Sequence, residues 1–250
     1  MGLLPASLVA QQTPVRQSEN RLCYAVFADT HITVQELEPI VQAVPNAVAA
    51  ALTRHAYYFV PLTIGETEET MVAPGYTIDL GDRAMCHRNV QFDGADCIFI
   101  STRLMQDRFA LAFEFFINVG HHFVEAAGVP QSFCDLAWSQ ALADVRGETS
   151  QDAWESRNQA IHGAPHLVTN VPDKSKPDEK AKSEFIESAF ADAIAIYLLS
   201  LAVDFDYSEL REREYPLLAP QALADRLRLV AGLFPPNPDY EFAIRYRRRA

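Results

Sequence analysis

Short apolar runs rich in aromatic and β-branched residues fill the first part of the chain, and apolar residues at helical spacing fill the rest. Residues 22–28, with Tyr24, Val26 and Phe27, read as a strand. Residues 33–55 follow a helical period interrupted at Pro39 and Pro45. A second strand is expected over 57–64, an acidic loop over 66–70, a third strand over 76–80 and a fourth over 96–100. Asp93-Gly94 supplies the turn ahead of the fourth. A long helix follows over 103–127, capped by Ser101 or Thr102 and stopped by Gly128-Val129-Pro130. Helical pieces are expected over 132–145, with Trp138 on an apolar face, over 184–203 and over 220–233. Between the first and second of these, residues 163–183 turn to Pro, Lys, Asp and Ser and read as a solvated, mobile loop. Strands come first and helices later, which is an α+β order. No internal repeat interrupts it.

The long helix carries one polar stripe. Glu114, Asn118, His121, His122 and Glu125 fall within an arc of about 100° at about 100° per residue, and large apolar side chains cover most of the remaining surface. Extending the wheel backward adds Arg103 and Asp107, as an ordinary solvated face does. Two adjacent histidines followed by a glutamate are a less usual choice for such a face than Lys and Glu. Both readings, wet face and polar wall of a site, stay open at this point.

Composition narrows the function classes. A chain of 250 residues has room for one large core, and 49% hydrophobic residues are ordinary for a globular protein. The expected organisation is a flexible N-terminal arm over 1–20, one α+β domain over 21–240 and a basic tail over 241–250. The formal net charge of -12 argues against nucleic acid as a partner, and the basic cluster 245–249 reads as a solvated end. No apolar run of the roughly 18–20 residues that a bilayer span needs is evident, so no membrane span is expected. The N-terminus lacks the basic segment of a secretion signal, and Ala6 fits a myristoylation motif poorly. The compartment stays open, with the cytoplasm preferred. Cys23, Cys86, Cys97 and Cys134 lack metal or redox spacing, although Cys86 and Cys97 could flank a hairpin and pair. Neither a Gly-x-Ser-x-Gly turn nor a Gly-rich phosphate loop is present.

The order of elements, with Gly120-His121-His122-Phe123 on the first long helix and Phe190-Ala191-Asp192-Ala193 on a later one, resembles the zincin metallopeptidases over residues 96–203. The resemblance implies a zincin-like α+β fold: an N-terminal mixed sheet, a long central helix and a helix-rich C-terminal half. In zincins a His-Glu-x-x-His helix supplies two metal ligands and a general base, and a later helix supplies a glutamate as third ligand. His121 takes the place of the second histidine. The resemblance then puts Ile117 at the first ligand position, Asn118 at the base and Ser188 at the glutamate ligand, while Asp192 keeps a supporting carboxylate. A single imidazole does not hold zinc, and an amide is no carboxylate base, so the motif is degenerate and no catalytic residue is expected.

The expected function is therefore binding of a peptide or protein partner, in a groove between a sheet edge near residues 96–100 and the helix bearing His121, with the peptide added as a strand. No cofactor is expected. The alternative is an active metal-dependent hydrolase with a rearranged ligand set, holding zinc through His121 or His122, Glu125 and Asp192, since these spacings chelate on a helix. A third class is a structural protein in which the stripe is plain surface. His31, His55, His87, His162 and His166 have no ligand spacing.

Overall fold

A computed structural model describes residues 2–65, 69–105, 107–163, 178–210 and 215–244. The basic cluster 245–249, His166 and most of the loop expected over 163–183 lie outside the described residues. Contacts divide the chain into two compact units, residues 1–115 with 236–240 and residues 116–235 with 241–250.

The first unit holds β1 (Leu4–Pro5), α1 (Ala6–Gln12), β2 (Arg16–Gln17), β3 (Cys23–Val26), α2 (Val34–Gln42), α3 (Asn46–Ala49), β4 (His55–Val60), β5 (Leu62–Ile64), β6 (Met71–Ala73), α4 (Ile78–Gly81), β7 (Ala84–Met85), β8 (His87–Phe92) and β9 (Ala95–Ser101). A five-stranded sheet runs β2-β3-β4-β9-β8 and a four-stranded one β1-β6-β5-β7. In the larger sheet β3, β4 and β9 are parallel, with Tyr57 opposite Ile98 and Phe59 opposite Ile100. Tyr57, Phe59, Val60, Ile98, Phe99 and Ile100 are fully buried, the pattern of strands covered on both faces. The antiparallel neighbours β2 and β8 stand at its two edges.

Several local readings change. Pro39 does not interrupt α2, because the Thr33–Glu36 capping box and the burial of Leu37, Ile40 and Val41 outweigh one missing hydrogen bond. The strand expected over 57–64 breaks at Pro61, where the chain leaves one sheet for the other. A strand over 76–80 does not form. Ile78 is 74% exposed on the short helix α4, and the strand of that region is β6, ahead of Pro74-Gly75. The arm expected over 1–20 contains β1 and α1, whose Ala6 and Val9 are buried against Tyr58, Val72 and Phe99. Cys86 and Cys97 are free thiols, since the register sets Cys97 opposite Val90. The Asp93-Gly94 turn forms with both residues at positive φ, as a two-residue hairpin demands.

α5 (Arg108–Ala127) begins later than residue 103, because Asp107 and not Ser101 or Thr102 accepts the Ala110 N–H at 2.9 Å. It ends at Gly128, whose φ is 71°. The second unit contains its later part with α6 (Gln131–Leu142), α7 (Gln151–His162), α8 (Glu179–Ala202) and α9 (Pro220–Leu233). α8 starts inside the expected loop because Asp178 caps Lys180 and Ala181. α7 has no counterpart in the hydrophobic pattern, since its buried residues are Ala153, Arg157 and Ala160. Phe123, Phe133, Phe190 and Phe234 form an aromatic cluster in this unit. α8 is long and apolar enough to cross a membrane by composition, yet 67% of its apolar window is buried, as in the core helix of a globular unit. The architecture is α+β.

Candidate functional site

The polar stripe of α5 does not present one kind of surface. Glu114, in the first unit, is hydrogen-bonded at 2.6 Å to His87 Nδ1 of β8. In the second unit Asn118 and His122 are buried at 2% and 4% exposure, whereas His121 and Glu125 are exposed. A plain wet face would expose all of them. Neighbours on a helix diverge by about 100°, so His121 and His122 look into different surroundings.

His121 finds Asp192. The carboxylate of Asp192, partly buried on α8, accepts a 2.8 Å hydrogen bond from Thr149 Oγ1 and a second from the Ser150 hydroxyl, and it feels the charge of His121. Burial pushes its pKa up to about 6, against the two hydroxyls and His121, which favour the ion; Glu148 adds to the rise. Ser150 also caps α7 by accepting the Ala153 N–H at 3.2 Å. The Tyr215 hydroxyl donates to the Thr149 carbonyl at 3.1 Å. Burial likewise pushes the Tyr207 phenol up, keeping it neutral.

Beneath this segment Glu148 is fully buried and spanned by Arg226, at 2.8 Å from Oε2 and 3.2 Å from Oε1. Arg226 Nε donates to Gln140 Oε1 at 2.8 Å, and Arg157 reaches Glu148 Oε1 at 3.4 Å. Gly147, at φ 80°, is held against the Leu217 carbonyl where a Cβ would lie 2.1 Å from the oxygen. The bridge is completed by Glu148 N–H donating to Pro216 O and Leu218 N–H donating to Glu148 O.

Of the four expected metal ligands, His121 and Asp192 come within electrostatic reach of each other. His122 is buried elsewhere on the helix, and Glu125 lines a pocket of about 660 Å³ with Val124, Lys182, Ile186 and Glu187. Among the described residues no group of three or more His, Cys, Asp or Glu side chains is gathered for a metal ion. Zinc needs three or four such donors. Ile117 offers hydrocarbon, Asn118 a buried amide and Ser188 a half-buried hydroxyl, and the Asp192 oxygens already hold two hydroxyls. This donor set does not fit zinc.

Thr149, Ser150 and the Glu148 network are absent from the sequence reading. The available signal is local: Ser150 with Asp152 two residues on marks a helix start. The expected peptide edge near residues 96–100 is also displaced, because β9 is paired on both sides, with β4 and β8. The edge is β8. Comparison of the chain with family models, with curated proteins and with solved structures returns no match.

Proposed function

We propose that this protein is a zincin-like binder of an extended peptide segment of a partner protein, which docks as an added strand along β8. The observation that carries the reading is the edge position of β8 and the direction of its backbone. Ser101 N–H donates to Cys86 O, so positions 86, 88, 90 and 92 exchange hydrogen bonds with β9. Positions 87, 89 and 91 therefore aim their N–H and C=O groups away from β9, toward the side on which no strand pairs among the described residues. Val90 and Phe92 pack into the core, which pins the register of this edge. The sequence of a parallel three-strand core, an antiparallel edge strand and then the long helix α5 supports the zincin-like reading. The misfit of Ile117, Asn118 and Ser188 to zinc supports binding over hydrolysis.

Gln91→Pro is the test. It removes an outward N–H and leaves the β8–β9 ladder intact. Linear peptides selected from a display library on the native protein are expected to slow amide exchange at His87 and Gln91, and Gln91→Pro is expected to weaken them at least tenfold with the melting temperature little changed. Stoichiometric zinc in protein purified without chelators, or peptide cleavage abolished by His121→Ala, overturns the reading.

A further inference from the structure

Among the described residues of the helical unit, two buried guanidinium groups crowd one fully buried carboxylate. Arg226 and Arg157 are 0% and 3% exposed, and both are directed at a single buried carboxylate, Glu148. Arg226 takes both its oxygens. Arg157 is left with a 3.4 Å contact to Glu148 Oε1 and a 2.9 Å bond from Nη1 to the Gly147 carbonyl. On the other edge of its fork, Nε has no hydrogen-bond partner among the described residues, and Nη2 lies 3.8 Å from Asp144, whose side chain stands fully in water. Arg157 is thus held by a partial contact to Glu148, by Asp144 out in water and by the face of Trp154 at 5.9 Å, and its unsatisfied Nε is costly to bury.

This under-satisfied guanidinium lies at the wall of a pocket of about 470 Å³. One face of α7 lines it with Trp154, Arg157, Asn158 and Ile161, and the end of α6 and the turn after it close it with Leu142, the carboxylate of Asp144 and the exposed Arg146. Pockets of roughly 300–1,000 Å³ with an apolar lining and a few convergent polar groups hold small molecules. Leu142 is 63% exposed, a large apolar side chain left in water at the rim.

We infer that this pocket binds a small organic oxyanion with a flat apolar body. Its carboxylate or monophosphate head is drawn to Arg157 and Arg146, whose planar forks match a two-oxygen acceptor. The Asn158 amide supplies a further donor, and the body lies against Trp154, Ile161 and Leu142. This site lies within the helical unit and stands or falls separately from the β8 edge.

The chain has two tryptophans, so Trp138→Phe leaves Trp154 as the sole reporter. Titration of that variant with benzoate and with phenyl phosphate is expected to give saturable quenching by at least one of them, and calorimetry on the unsubstituted protein the same affinity. The acid that binds tells a carboxylate from a phosphate ligand. Neutral benzamide is expected to give none, and Arg146→Ala, on the surface, to weaken binding about tenfold, which is 1.4 kcal/mol, without lowering the melting temperature. Absence of saturation by either acid, benzamide binding as well as the acids, or Arg146→Ala binding like the parent protein overturns the inference.

Discussion

Glu148 shows how much one side chain can organise. Its carboxylate is fully buried and neutralises Arg226, which is also fully buried. Removing one member of such a pair strands the other charge in a low-dielectric interior. Glu148→Gln is therefore expected to cost about 3–5 kcal/mol, read as a lower urea midpoint. Asp192 is the second informative residue, because its pKa in the fold is about 6 against an ordinary 3.8. A raised value means that the folded protein binds the proton more tightly than the unfolded chain does. Stability from this group is thus greatest below about pH 4 and falls as pH rises toward 6, with the whole loss, on the order of 3 kcal/mol, present above that. Asp192→Asn is expected to flatten this part of the stability profile, and carboxyl carbon shifts in an NMR titration should report the midpoint directly. A midpoint near 4 would show that Thr149, Ser150 and His121 outweigh burial.

At the scale of elements, the glycine before His121 has a packing role. A Cβ on Gly120 would lie 2.4 Å from the Ala191 carbonyl oxygen on α8, so a hydrogen is what lets α5 and α8 approach this closely. Gly120→Ala is expected to cost at least about 1–3 kcal/mol in thermal or urea unfolding, although alanine is the better helix former. A variant as stable as the parent would show that the helices shift apart freely. Such a contact explains a Gly-His pair without any metal chemistry. Element ends were legible where the signal is local: the Asp93-Gly94 turn, the Gly128 stop and the helix Pro220–Leu233 all follow from neighbouring residues. α7 was not, because its packing rests on two alanines and the stem of an arginine, which no hydrophobic period reveals. The edge of the sheet was not legible either. Residues 95–101 read as a strand whichever neighbours they have, and only the pairing with β4 and β8 makes that strand an inner one.

Across the whole chain the charge of -12 sets the terms of association. Phosphate backbones attract proteins by counterion release to Lys and Arg, and a strongly acidic chain lacks that drive. Gel-shift titration against duplex DNA at about 50 mM salt is expected to show no complex at micromolar protein. A salt-sensitive complex would mean that the C-terminal arginines act apart from the rest of the surface. Composition and period by themselves determined the α+β order, the strand segments near 22–28, 57–64 and 96–100, the Asp93-Gly94 turn and the Gly128 stop, because each depends on side-chain type and on neighbours a few residues away. Tertiary structure alone decided that His121 comes within electrostatic reach of Asp192, that Arg226 reaches Glu148 across 78 positions, that β8 is an edge strand and that a pocket lined by Asp144, Arg146 and Arg157 forms beside α7. Burial, ion pairing and strand neighbourhood are properties of groups brought together from distant parts of the chain, and no local pattern carries them.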